Sequence, residues 1–234
     1  GSPEQAGKLM NSWSAIASAL TIMFLFWSIT HLAKKMVKFE GQPSLGQTIA
    51  ILGSGVVGAL AYCYSDTFWF SAVEAEVYAT SSLFTAIVFW AILKWENEAD
   101  EPYANRWIIF ISYMVGLSIG VHLLNLLAIP AIVFVYYFRK YKPTRNGVII
   151  SFISSIVLLG AVMYVIIPGV ITVASWFELL FTNGFGLPFN TGAVIYAFLL
   201  IGLLVWGIYF TYTHKKHLAN TILMSLTVIL IGYS

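Results

Sequence analysis

Three carboxylates crowd into one short stretch of a chain that is nearly devoid of charge. Asp66, Glu74 and Glu76 fall within eleven residues, whereas charged residues make up 9% of the 234. Carboxylates take up protons or hold polar ligands, and ionisable groups near membrane depth are costly and often functional. Each has a plainer role to set beside that one. Ser71-x-x-Glu74 fits a capping box, which predicts that Glu74 helps to start a helix. Asp66 suits a loop turn or a cap. Glu76, in the first turns of the predicted helix, has no capping role and is expected to face a cavity. Phe68, Trp69 and Phe70 read as an interfacial aromatic belt. Tyr78, two positions beyond Glu76, points roughly the opposite way on a regular helix.

A second constellation is His122 with Asn125, one helical turn apart and therefore on one face. They read either as a polar pair that glues helices together or as part of a site. Gly116 and Gly120 predict close helix packing nearby, and Pro130 predicts a kink. His31, His214 and His217 adjoin lysines and read as solvated or headgroup residues. No metal-ligand spacing, phosphate-cradling glycine loop or serine elbow is present. The run Gly53-Ser54-Gly55-x-x-Gly58 follows no strand and reads as close helix packing. The single cysteine, Cys63, supports neither a disulfide nor a thiolate metal site.

The elements that must position these residues are membrane helices. Hydrophobic residues are 59% of the chain and its mean hydropathy is +0.85, while a soluble domain carries about 25% charged residues. Apolar stretches of spanning length fall at 9–31, 47–64, 77–93, 106–120, 123–138, 147–167, 192–212 and 218–233. The fold class expected is therefore all-α, a polytopic transmembrane bundle of about eight helices in a single domain. With alternating helices, eleven of the twelve Lys and Arg residues land on one side, leaving Lys8 opposite. The positive-inside rule makes that side cytoplasmic and the N-terminus extracytoplasmic. Nothing in the charge pattern suggests nucleic acid.

Residues 107–138 carry no charge apart from His122. One helix of that length would run about 48 Å, against a hydrocarbon core of about 30 Å, and would throw Arg139–Arg145 to the wrong side. Two short helices are expected instead, with a joining turn sunk below the outer surface. Irregular backbone at such depth must be buried in protein or line a wet cavity. The outer side then presents three segments: 65–77, 120–125 and 168–191.

The runs Asp66-Thr67-Phe68-Trp69, Glu76-Val77-Tyr78-Ala79, Trp90-Ala91-Ile92-Leu93-Lys94-Trp95-Glu96 and Gly116 through Asn125 resemble a family of bacterial multi-pass membrane proteins common in Bacteroidetes. That family is similar to protein O-mannosyltransferases, and the resemblance covers essentially the whole chain. It implies a GT-C-type glycosyltransferase in the bacterial cytoplasmic (inner) membrane, with its active side facing the periplasm. The partners implied are membrane lipid, a polyprenyl-phosphate sugar donor as substrate, and an extracytoplasmic protein acceptor. No separate cofactor is implied. Under this resemblance Glu76 and Asp66 serve the acceptor side as base or as its positioning group. His122 and Asn125 contact phosphate or sugar, and Tyr78 and Trp69 complete the substrate-binding set. One departure stands out: the acidic loop that follows the family's first membrane helix is missing. The chain is accordingly expected to be an internal fragment that lacks the catalytic acidic loop and holds part of a donor site.

Two other classes compete. Polar residues along a sunken turn also suit a transporter or flippase-type permease, which commonly has paired, inverted halves. A membrane scaffold would use the outer loops for partners and would need no cavity leading toward Glu76.

Overall fold

A computed structural model describes residues 3–37, 41–74 and 77–233. Every regular element among them is helical. Six helical stretches are long and apolar enough to cross a membrane, and Asn105–Ile119 and His217–Tyr233 are shorter apolar helices. These match the eight sequence spans in order, and the protein is a multi-pass membrane helix bundle. The described residues form two compact units, Gly1–Ala128 with Ile229–Ser234, and Ile129–Val228.

The first unit contains α1 (Pro3–Met36), α2 (Leu45–Cys63), α3 (Asp66–Val73), α4 (Val77–Glu98) and α5 (Asn105–Ile119). Small residues set its packing. Ser14, Ala17, Ser18, Thr21 and Ser28 recur every three or four residues (or a multiple) along α1 and are all buried. In lipid, close van der Waals contact of such stripes replaces the hydrophobic drive between helices. Ala17 meets Ala79 and Leu83 of α4, flanked by Leu20, Phe24 and Ile87. Thr21 spends its hydroxyl on the Ala17 carbonyl of its own helix, 2.8 Å away. The α2 glycines behave as the sequence implies at two of three positions. A Cβ at Gly55 would collide with Thr30 and Phe26, and one at Gly58 with Ile29, whereas Gly53 faces open space. A real capping box begins α2, where Ser44 and Gln47 each accept the other's backbone N–H.

The expected capping box at Ser71 and Glu74 does not form. Segment 65–77 is not a plain loop: it holds α3, whose interior contains Ser71, and that hydroxyl donates to the Thr67 carbonyl at 3.1 Å. Glu74 ends α3 instead of starting α4. Three consecutive aromatics on a helix point three ways, so only one can be buried. Phe68 is that one, 4% exposed and 4.7 Å from the Tyr62 ring. It is a packing residue, not a belt residue.

The break between α5 and the following helix is present. His122 adopts an extended conformation, and Leu123–Leu127 forms a short 3-10 helix before α6 (Ala128–Lys140). Pro130 does not kink a helix. It lies in the first turn of α6, where its missing N–H would have no intrahelical partner. Of the two glycines expected to allow close packing, Gly116 does so, since a Cβ there would sit 2.8 Å from the Ile229 Cα of α10 (His217–Tyr233). Gly120 closes α5 and has only the Leu117 carbonyl nearby.

The second unit holds most of α6, then α7 (Arg145–Ala161), α8 (Ile167–Leu179), α9 (Thr191–Thr213) and most of α10. Segment 168–191 was expected outside the membrane as a connection, but helix continues through it to Gly184. Pro168 opens α8 directly after a π-helical turn, Val162–Ile166. That wider turn absorbs the proline ring and its missing donor without ending the helix. The resulting 40-residue apolar stretch is about 60 Å long, roughly twice the hydrocarbon core. Its carboxylate, Glu178, turns inward to the start of α9, accepting from Asn190 N at 2.7 Å, Ala193 N at 3.0 Å and Thr182 Oγ1 at 2.9 Å.

Candidate substrate groove

The end of the first unit where α4 begins carries a groove of about 730 Å³. Leu9, Met10 and Trp13 of α1 form one wall, Val77 and Thr80 of α4 a second, and the Gly120–Val121 turn a third. Most of this surface is apolar. Trp13, half exposed, is held across the groove by its indole N–H, which donates to Thr80 Oγ1 at 2.8 Å. Cross-helix side-chain hydrogen bonds in membrane proteins average about 0.6 kcal/mol, so this one orients the ring more than it stabilises the fold.

The turn after α5 pairs much of its own backbone, as irregular structure in a lipid medium must. The Ser118 carbonyl accepts from both Val121 N (3.0 Å) and His122 N (2.7 Å). Leu124 N then donates to His122 Nδ1 at 3.1 Å. With Nδ1 accepting, Nε2 is the ring nitrogen left to donate. The imidazole stands 5.9 Å from the Tyr78 ring, tilted by 45°. Val77 and Val121, which line the groove, immediately precede Tyr78 and His122.

His122 and Asn125 do not share a face as the helical spacing implied. That argument assumed an α-helix, whereas His122 is extended and Asn125 lies in the 3-10 turn. Asn125 is buried, 3% exposed, and its Oδ1 accepts from Thr85 Oγ1. Its Nδ2 has no hydrogen-bond partner among the described residues. Tyr78 and Thr85 are seven residues apart, two turns along α4, so α4 receives the two turn residues on a single stripe.

Asp66 is exposed in the first turn of α3. Trp69 is also exposed and stacks on Tyr64 at 6.5 Å. Among the described residues no hydrogen bond or ring contact ties either to His122, Asn125 or Tyr78. Glu76 lies outside the described residues. No group of three or more potential metal ligands occurs among those described. Trp13, Thr80 and Thr85 were absent from the sequence reading. Trp13 and Thr80 are 67 positions apart, and nothing in local spacing could have paired them.

No curated protein and no solved structure matches the chain. The family profile described as protein O-mannosyl-transferase TMEM260 N-terminal domain matches residues 1–145, which is narrower than the whole-chain resemblance but includes the entire groove. The match supports a glycosyltransferase-like role, and the chain belongs to the TMEM260 N-terminal domain family of protein O-mannosyl-transferases.

Proposed function

We propose that this chain supplies part of a GT-C-type site that transfers a sugar from a polyprenyl-phosphate donor to an extracytoplasmic acceptor. The observation that carries the reading is the apolar groove whose walls include Val77 and Val121, the chain neighbours of the Tyr78–His122 ring pair. An isoprenoid tail suits the walls made by Leu9, Met10, Trp13 and Val77. A phosphate suits a donor such as the Nε2–H of His122.

In the transfer, the acceptor hydroxyl oxygen bonds to the sugar's anomeric carbon as the bond from that carbon to the phosphate oxygen breaks on the opposite face. The hydroxyl proton passes to a carboxylate, a role that suits Glu76, which precedes the groove residue Val77 in the chain, or Asp66 of α3. The departing phosphate gathers charge, and a hydrogen-bond donor fixed beside it lowers the barrier. Asn125, buried beneath the turn, is better placed to hold His122's segment against Thr85 than to touch substrate. Tyr78 offers a ring and a hydroxyl to the sugar. Trp69 and Asp66 would reach the acceptor from α3. The charge asymmetry supports a periplasm-facing groove in a bacterial inner membrane.

The test is sugar transfer from polyprenyl-phosphate donors by the intact protein in membranes, beside His122→Ala and Glu76→Gln. Loss of transfer by at least tenfold in variants that unfold at the wild-type temperature is expected. Undiminished transfer by both variants would remove these residues from the site. No transfer by the intact protein across several sugars would favour a transporter.

A further inference from the structure

The opposite end of the first unit carries a second constellation, independent of the groove. Trp27 of α1 and Trp90 of α4 lie 5.9 Å apart, with Phe24 edge-on to both at 5.2 and 5.3 Å. One turn further along each helix the chemistry changes from aromatic to basic. His31 follows Trp27 by four residues, and Lys94 follows Trp90 by four, with its Nζ 5.4 Å from the Trp90 ring centre. Lys34, Lys35, Lys94 and Glu96 all lie within electrostatic reach of the His31 ring.

Two of the basic groups here have ion-pair partners. Lys35 pairs with Glu96 at 2.5 Å, and Arg106 pairs with Glu98 at 2.8 Å. Lys34 and Lys94 enter no ion pair among the described residues. His31 Nε2 is buried and has no hydrogen-bond partner among them. A shielded ring nitrogen near two ammonium groups that hold no direct ion pair among the described residues is poised for an anion. Trp27 remains 39% exposed, so the approach to the seam is open along an apolar ring.

The seam thus repeats the order of a phospholipid: an apolar shelf for the upper acyl chain, then cations and a ring nitrogen for a phosphate. We propose that Trp27, His31, Lys34, Trp90 and Lys94 form a binding site for the phosphate headgroup of an anionic lipid, seated between α1 and α4. The phosphate accepts from His31 Nε2–H and the Lys34 and Lys94 ammonium groups, and the proximal chain lies over Trp27. Tryptophan and lysine at one level of a membrane helix pair are the side chains that tolerate this boundary.

The experiment uses the whole chain in nanodiscs of phosphatidylcholine with increasing phosphatidylglycerol, followed by native mass spectrometry of lipid carried through detergent release. Wild type is expected to retain phosphatidylglycerol over phosphatidylcholine. Lys34→Gln with Lys94→Gln should weaken that retention by about tenfold or more. Arginine at the same two positions should preserve it, which excludes misfolding as the cause. A control, Lys215→Gln with Lys216→Gln, should retain lipid as wild type does. Equal loss in this control, or equal retention in the Lys34/Lys94 variant, would overturn the site. Inorganic phosphate at millimolar concentration displacing the lipid completely would show a free-anion site and overturn the headgroup assignment.

Discussion

Substituting alanine in turn for the three glycines of the Gly53–Gly58 run tests the α1–α2 packing with its own internal control. Each substitution removes glycine from a helix interior, a gain of about 0.5–1 kcal/mol wherever the added methyl finds room. At Gly53 nothing lies within 4 Å of the new atom, so the gain stands alone. At Gly58 the methyl meets the tip of Ile29 at 2.7 Å, with the next atoms at 3.8 Å; a single terminal carbon can swing away. At Gly55 it overlaps the Thr30 methyl and approaches the Phe26 ring at 2.9 Å. Thr30 cannot rotate cheaply, because its hydroxyl donates to the Phe26 and Trp27 carbonyls at 2.9 and 3.0 Å. Overpacking of this kind costs about 1–3 kcal/mol. The helix gain is common to all three, so the Gly55-to-Gly53 difference isolates the contact at about 1–3 kcal/mol. Thermal unfolding in one detergent should rank Gly53→Ala highest, Gly58→Ala next and Gly55→Ala lowest, with gaps of a few degrees per kcal/mol. A Gly55→Ala protein as stable as Gly53→Ala would refute the packing.

Two further outcomes are expected. Gly116→Ala should destabilise the first unit by about 1–3 kcal/mol, because its methyl would press on backbone, the Ile229 carbonyl at 2.6 Å, and backbone cannot swing aside as a side chain can; an unchanged melting temperature would contradict the α5–α10 approach. Glu178→Gln keeps the side chain's size but removes the charge facing the first N–H groups of α9, so amide exchange at Asn190 and Ala193 should quicken, and exchange at the wild-type rate would show that the carboxylate does not clamp the α8–α9 connection.

Charge and length made the spans legible, and together they exposed the break after α5, since residues 107–138 could not be one straight span without placing Arg139–Arg145 on the wrong side. What failed was local geometry. Regular helical spacing does not hold from His122 to Asn125, because that is where the helix has to break. Pro130 implied a kink, yet a first-turn position in α6 absorbs it, and segment 168–191 implied a connection, yet a π turn lets the helix run through Pro168. Asp66 through Phe70 looked like loop because a short, mostly exposed helix has little periodicity to display. Glu178 passed unnoticed although it is the only acidic residue after Glu101. The walls of the groove were out of reach for a different reason: they depend on α1 and α4 lying side by side, a contact that no local pattern encodes.

That same helix pair acts as a strut. Trp13 binds Thr80 near one end and Lys35 binds Glu96 near the other, while the small residues between them fasten to nothing across the seam but one another's surfaces. The fastened points on α1 are 22 positions apart, about 33 Å of helix, close to the thickness of a bilayer's oily interior. The spacing of the two ties therefore matches that thickness, with close-packed small residues of α1 between them. Because Trp13 is both a tie and a wall of the groove, whatever shifts α1 along α4 also moves that wall.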